Sequence, residues 1–169
     1  MPETVYLLLG SNLGDREQNL DSAITRLEQV EGLEIVAVSS VYASDPMGMM
    51  GENPPFLNQV VKCDFMYNAV ELLDHIERIE RDFGRTDKGR RLARTLDIDI
   101  LLFGKRQIRT DRLQIPHREL THRPFALVPL LEIDPDLTHP ATGKPLASHL
   151  TEKQRHAVAI FKEYVARNY

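Results

Sequence analysis

Hydrophobic and polar residues alternate along the chain in a pattern that predicts the order strand, helix, strand, strand, helix, strand. We expect strands at residues 4–9, 33–42, 56–65 and 96–103, and helices between Asp15 and Gly32 and between Asn68 and Gly84. This order is the split βαβ plan, so we predict an α+β fold with a ferredoxin-like antiparallel sheet and helices packed on one of its faces. Pro124 is expected at the first position of a short helix, and residues 151–169 are expected to form a final helix.

The strand at 96–103 carries two acidic residues among aliphatic ones. Asp97, Asp99 and Leu101 alternate with Leu96, Ile98, Ile100 and Leu102. Successive side chains of a strand point to opposite faces, so both carboxylates should project from one face. Like charges at this spacing repel unless a cation or a proton intervenes, and a divalent metal is the simplest candidate. The alternative is a solvated face of a half-exposed antiparallel sheet.

Basic residues precede this strand. They are Arg85, Lys88, Arg90, Arg91 and Arg94, in a segment that also holds Gly84 and Gly89. Arginines contact phosphate oxygens and carboxylates hold magnesium, so a basic loop before a diacidic strand is typical of a polyphosphate site. Residues 44–55, rich in proline and glycine, form a second loop whose length favours a functional role.

Length and composition narrow the class of protein. The chain has 169 residues, of which 42% are hydrophobic and 27% charged, so we expect one globular domain over residues 1–169. A net charge of −4 argues against a general nucleic-acid binder. The lone Cys63 fits a reducing compartment. The sequence shows neither a membrane span nor a signal peptide, so we expect a cytoplasmic protein with no membrane partner.

One motif and four shorter segments resemble a known family. Residues 94–104, RTLDIDILLFG, resemble the defining motif of the 6-hydroxymethyl-7,8-dihydropterin pyrophosphokinases (HPPK) of folate synthesis. The other segments are Gly10-Ser11-Asn12-Leu13, Phe56-Leu57-Asn58, Ile115-Pro116-His117 and Arg123-Pro124-Phe125. Together they cover the chain from Val5 to about Leu137 and imply an HPPK-type α/β sandwich.

The resemblance also implies a reaction and its residues. A pyrophosphoryl group would pass from ATP to the hydroxymethyl oxygen of the pterin, with release of AMP. The implied catalytic residues are Asp97, Asp99, Arg85 and Arg94, of which the two aspartates would hold two magnesium ions. The implied ATP-binding residues are Leu73, Glu77, Glu80, Ile98, Arg112, His117 and Arg123. The implied pterin-binding residues are Ser44, Pro46, Met47, Phe56, Asn58 and Phe125. ATP and the pterin are the expected partners, and we expect a monomer.

The chain departs from the family pattern at three places. Arg91 and Leu92 stand where tryptophan and glycine are common, Asp45 stands where proline is usual, and Arg118 where tyrosine is frequent. These departures leave two alternatives open. One is a paralogue that binds pterin or nucleotide with weak or altered activity. The other is a different metal-dependent phosphotransferase or nucleotidyltransferase on a ferredoxin-like sheet.

Overall fold

A computed structural model of the protein describes residues 1–44, 55–84 and 95–162. The strands are β1 (Glu3–Ser11), β2 (Leu33–Val38), β3 (Val41–Ser44), β4 (Phe56–Phe65), β5 (Asp97–Phe103), β6 (Ile108–Arg109), β7 (Gln114–Ile115) and β8 (Ala159–Lys162). The helices are α1 (Arg16–Glu28), α2 (Ala69–Asp82), α3 (Pro124–Ile133) and α4 (Glu152–His156), with short 3-10 turns at Leu120–His122 and Leu146–His149. The segment 85–94 and nearly all of the loop 44–55 lie outside the described residues.

The main sheet has six strands in the order β5-β1-β4-β3-β8, and β2 pairs with β4 beside β3. Every pairing in it is antiparallel. If β2 and β3 are counted as two halves of one strand, the order becomes fourth, first, third, second. This order, taken with the split βαβ succession of elements, confirms the predicted ferredoxin-like sheet. Strands β6 and β7 form a separate hairpin.

Helices cover both faces of the sheet. Val5, Leu7 and Leu9 of β1 belong to one core cluster, which also includes the apolar faces of α1 and α2. The intervening Tyr6 and Leu8 belong to a second cluster, built with α3. The expectation that helices pack on one face is therefore wrong. The apolar residues of β1 run without interruption, as in a strand buried on both faces, and the sequence analysis did not use this signal.

The strand predicted at 33–42 is two strands, because Ser39 and Ser40 interrupt its pairing with β4. The Ser39 backbone N–H donates to the Val60 carbonyl (2.9 Å). The Ser39 hydroxyl oxygen accepts from the Val60 N–H (2.8 Å), where a continuous ladder would use a carbonyl. A serine side chain that competes for backbone hydrogen bonds thus divides the strand.

The helix predicted at 151–169 is confirmed for Glu152–His156 and is wrong for the rest of its described part. Helix α4 begins after the Thr151 capping box and ends at His156. The chain then forms β8, which pairs with β3. Val158, Ile160 and Phe161 are β-branched or aromatic, which favours a strand once a free sheet edge is available. In the described part of the chain, no helix is both long and apolar enough to cross a bilayer.

Candidate active site

The two aspartates of β5 project from the sheet face that α3 covers. Asp97 lies opposite Gly10 of β1 and Asp99 lies opposite Leu8, and Leu8 packs in the α3 cluster. The pairing with β1 skips Leu101, and both Leu101 and Leu102 belong to this cluster. The expectation that Leu102 lies on the face opposite the aspartates is therefore wrong. The side chain of Asp99 is 18% exposed. The predicted placement of both carboxylates on one face is confirmed.

Two basic side chains approach Asp99. A terminal nitrogen of the Arg123 guanidinium lies 3.6 Å from Asp99 Oδ2, and His117 Nε2 lies 3.9 Å from Oδ1. The His117 backbone N–H donates to the Leu101 carbonyl (3.0 Å), which fixes this segment against the outer edge of β5. His117 Nδ1 accepts from the Glu119 N–H (3.1 Å). In a neutral imidazole the proton is then on Nε2, the nitrogen that faces Asp99.

Asn58 lies on the same sheet face, two strands away from Asp97. It pairs with Gly10 on one side and with Tyr42 on the other. Its side chain is buried, and Nδ2 donates to the Leu9 carbonyl over a long 3.4 Å. Ser44 Oγ donates to Asn58 Oδ1 at 3.5 Å. Both contacts are weak, so the amide keeps much of its hydrogen-bonding capacity for a ligand.

Two aromatic side chains lie on this side of the sheet. Phe56 precedes Asn58 by two residues on β4, so it lies on the same face, and it pairs with Ser44. Phe125 lies in the first turn of α3. The Arg123 guanidinium carbon lies 5.5 Å from the centre of its ring. The expected pterin residues that the structure describes therefore share one face with the aspartates.

Gly10 separates the aspartates from the asparagine. It is the β1 partner of both Asp97 and Asn58, so that a row of three residues crosses three strands. A Cβ at Gly10 would lie 3.0 Å from Asn58 Nδ2. Gly10 belongs to one of the segments that resemble the family, but it was not among the expected site residues. The available signal was a glycine inside a strand, which often marks a close approach of another group.

The remaining expected ATP residues lie on the opposite side of β5, beside α2. Leu73 and Ile98 are buried in the core cluster of α1 and α2. Glu80 is 2% exposed, and its Oε2 accepts from the Ile98 backbone N–H (3.0 Å). The buried Glu80 carboxylate thus satisfies a backbone N–H of β5.

Arg112, in the β6–β7 turn, connects that hairpin to α2. Its guanidinium donates to Glu77 and, at 2.5 Å, to Asp74, a residue that the sequence analysis missed. These two hydrogen bonds raise the pKa of Arg112. The carboxylates of Asp74 and Glu77 together hold the guanidinium against α2. The structure therefore brings together Glu77 and Arg112, but on the α2 side of the strand, away from the aspartates.

The aspartate pair suits magnesium. Mg²⁺ typically binds one or two carboxylates and completes its shell with substrate phosphates and water. Two partly exposed carboxylates on one face supply that ligand set. Among residues 1–44, 55–84 and 95–162, no group of three or more His, Cys, Asp or Glu side chains could hold a metal ion.

Other expected site residues cannot be placed. Pro46, Met47, Arg85 and Arg94 lie outside the described residues, as do Asp45, Arg91 and Leu92. Arg118, by contrast, is described. Its side chain is 73% exposed, and its Nε lies 3.8 Å from Glu119 Oε1.

A family model and several known proteins match this chain. The 7,8-dihydro-6-hydroxymethylpterin-pyrophosphokinase (HPPK) model matches residues 6–135. The 2-amino-4-hydroxy-6-hydroxymethyldihydropteridine pyrophosphokinase of Haemophilus influenzae is 40% identical over 81% of this chain and 85% of its own length. The enzyme of the same name from Aquifex aeolicus is 44% identical over 85% of this chain and 88% of its own length.

Longer relatives match as well. The folic acid synthesis protein fol1 of Schizosaccharomyces pombe is 33% identical over 94% of this chain, which spans 22% of that protein. A Plasmodium falciparum HPPK-DHPS crystal structure superimposes with a TM-score of 0.68 at 16% identity, covering 88% of this chain and 45% of the solved chain. The structural likeness supports the fold alone. From the family model and the bacterial relatives, the chain belongs to the 7,8-dihydro-6-hydroxymethylpterin-pyrophosphokinase family.

Proposed function

We propose that this protein transfers a pyrophosphoryl group from ATP to the hydroxymethyl oxygen of 6-hydroxymethyl-7,8-dihydropterin, releasing AMP, in folate biosynthesis. The observation that carries the proposal is the row Asp97, Gly10, Asn58 across β5, β1 and β4. It sets a carboxylate and a buried amide on one face, with no side chain between them, and this supports the proposal that the carboxylate holds magnesium beside the pterin site. Neighbouring strands are about 4.8 Å apart, so about 10 Å separates the backbones of Asp97 and Asn58.

The pterin would lie across this row. Asn58 offers a donor and an acceptor, which suits the amino group and the adjacent carbonyl on the edge of the ring. Phe56 and Phe125 would contact the two faces of the ring, each stacking contact contributing about 1 kcal/mol beyond burial. The hydroxymethyl arm would then point along the row toward Asp97, where the phosphoryl chemistry takes place.

Asp97 and Asp99 would hold two magnesium ions. Bound magnesium supplies neutralisation of the phosphate charge and acidification of the attacking hydroxyl. Phosphoryl transfer depends on positioning and electrostatics more than on a protein nucleophile. Arg123 and the Nε2–H of His117, both directed at Asp99, would donate to phosphate oxygens beside it. We propose the same role for Arg85 and Arg94.

The nucleotide would extend from the aspartates around β5 toward α2. Leu73, Ile98 and Glu80 would form the apolar wall and the hydrogen-bonded support of the adenosine site. Arg112, held by Glu77 and Asp74, would border it at the hairpin. A nucleotide bound along this path would contact both groups of expected ATP residues, which lie on opposite sides of β5.

The product of the reaction tests the proposal. Protein, ATP, Mg²⁺ and the hydroxymethyl pterin are incubated, and the nucleotides are separated by ion-exchange chromatography. We expect AMP in amounts equal to the pterin diphosphate, and none when Mg²⁺ is chelated. ADP as the product would refute pyrophosphoryl transfer. Tight pterin binding without AMP would instead identify a binding paralogue, which no observation favours at present. Failure of the pterin to bind would point to a different phosphotransferase.

We further propose that the protein acts as a cytoplasmic monomer. The cytoplasmic location is supported by Cys63, which is buried and free, as expected in a reducing compartment. Sedimentation equilibrium at micromolar concentration tests the oligomeric state, and a mass of twice 19.3 kDa would refute the monomer.

A further inference from the structure

A carboxylate near the end of α3 ties this helix to the β2–β3 break. One oxygen of Glu132 accepts from the Ser40 backbone N–H (2.9 Å) and from the Ser40 hydroxyl (3.1 Å). Its other oxygen accepts from the Tyr42 hydroxyl. Hydrogen bonds to a charged acceptor are about twice as strong as neutral ones. One side chain therefore joins α3 to two positions of the sheet.

The two residues that donate hydrogen bonds to Glu132 are themselves buried. Ser40 is 8% exposed and Tyr42 is 6% exposed. Burial and the hydrogen bond to Glu132 raise the pKa of the Tyr42 phenol, which keeps it protonated as a donor. These hydrogen bonds thus hold the end of α3 against a buried part of the sheet.

Both ends of this connection lead to the pterin site. Glu132 follows Phe125 by about two helical turns, so the two side chains lie on the same side of α3. Tyr42 is the β3 partner of Asn58, and Ser44, two residues further on, donates to the Asn58 amide. Glu132 thus connects the helix that carries Phe125 to the strand that pairs with Asn58.

A second anchor on the same helix provides a comparison. Asp134 accepts from the Tyr6 hydroxyl and pairs with Lys62 Nζ at 2.8 Å. Tyr6 lies four residues before Gly10 on β1, about 13 Å from the row of the site. Asp134 thus attaches α3 to the sheet as Glu132 does, but at a place remote from Asn58.

We propose that Glu132 is a positioning residue of the pterin subsite, which sets the gap between Phe125 and the floor formed by Phe56 and Asn58. This inference rests on the proposed function. A flat ring held between two side chains is sensitive to their separation, and a displacement of about 1 Å at a substrate-positioning group can cost about a hundredfold in activity. Glu132 touches neither substrate, and it acts through α3.

The test compares Glu132→Gln with Asp134→Asn, two isosteric changes that each weaken one anchor of the same helix. Binding of the hydroxymethyl pterin is measured by calorimetry with Mg²⁺ and a non-hydrolysable ATP analogue present. Binding of the analogue alone is measured separately. We expect Glu132→Gln to weaken pterin binding about tenfold or more and to leave analogue binding within about twofold of wild type. Asp134→Asn should leave both affinities within about twofold.

Tyr42→Phe extends the test. It removes the hydroxyl that donates to Glu132, so it should also weaken pterin binding. If Glu132→Gln does not fold, Tyr42→Phe provides the test instead. Equal effects of the Glu132 and Asp134 variants, or wild-type pterin affinity in both Glu132→Gln and Tyr42→Phe, would overturn the inference. Absence of pterin binding by the wild type would refute the proposed function itself and the positioning role with it.

Discussion

Replacing Gly10 with alanine adds one methyl group to the floor between the aspartates and the pterin amide. The new Cβ would lie 3.0 Å from Asn58 Nδ2, 3.8 Å from Phe56 Cδ1 and 3.9 Å from the Leu57 carbonyl. The backbone φ of Gly10 is not positive, so alanine meets no conformational strain. The substitution therefore acts by crowding, and the Asn58 amide is the group that it displaces.

The size of the effect follows from the bonds that hold the amide. Asn58 is retained by contacts of 3.4 and 3.5 Å, which yield readily to a shift of a few tenths of an ångström. Misplacing a buried amide that pairs with a ligand costs about 1–3 kcal/mol, a loss of about 5- to 150-fold in pterin affinity. Stability should change little, because crowding costs about 1 kcal/mol or more and loss of glycine entropy returns about 0.5–1 kcal/mol.

A double-mutant cycle isolates this mechanism. Pterin affinity is measured by calorimetry for the wild type, Gly10→Ala, Asn58→Ala and the double variant, with thermal unfolding recorded for each. Asn58→Ala removes the group that the new methyl displaces. We therefore expect Gly10→Ala to weaken binding in the wild-type background and to have little further effect in the Asn58→Ala background.

Three results would refute this reasoning. Additive losses in the double variant would mean that the methyl group acts on something other than Asn58. A fall in the unfolding midpoint of more than about 4 °C, which is about 1 kcal/mol or more for a chain of this size, would indicate a general packing defect. Undisturbed pterin affinity in Gly10→Ala would remove Gly10 from the site.

Three other perturbations test the site and its support. Asp97→Asn and Asp99→Asn should each abolish AMP formation and leave the free energy of unfolding unchanged or slightly higher, because like-charge repulsion is relieved; near-normal turnover in either variant would contradict the metal assignment. Phe125→Ala should weaken pterin binding by at least the stacking contribution of about 1 kcal/mol and spare binding of the ATP analogue, whereas equal losses by calorimetry would indicate misfolding. Burial of Asp134 raises the pKa of its carboxyl, but hydrogen bonds from Lys62 and a tyrosine hydroxyl outweigh burial, so the net effect is a pKa below its ordinary value of 3.8. Its stabilising contribution is therefore present above about pH 4 and is lost as the pH falls through the lower folded value. Asp134→Asn should remove this part of the acid dependence in urea unfolding between pH 7 and pH 2, and a constant difference between the two curves would refute it.

The local features of the chain were predicted well from the sequence. Asp15 and Asn68 cap α1 and α2 as their positions suggest, each accepting from the backbone N–H three residues later (3.1 and 2.9 Å). Pro124 begins α3. These signals depend on residues close together in the chain, so the sequence expresses them directly.

The predictions failed where distant segments compete. The strand pattern at 33–42 contains nothing that shows the Ser39 hydroxyl replacing a carbonyl beside Val60, because that bond needs β4 in place. The segment after His156 becomes a strand because β3 offers a free edge. In both cases the deciding hydrogen bond joins residues far apart in the chain.

The order of residues in the chain already identifies the chemical groups of the candidate site: two carboxylates on one face of a strand, a basic segment before them, and aromatic and amide side chains that resemble a pterin site. The way in which these groups are arranged in space comes from the fold. Strand register places Gly10 between Asp97 and Asn58, and Glu132 ties α3 to the sheet. Alternation along one strand is fixed by backbone geometry. The residue that stands opposite on the next strand depends on how the whole sheet assembles.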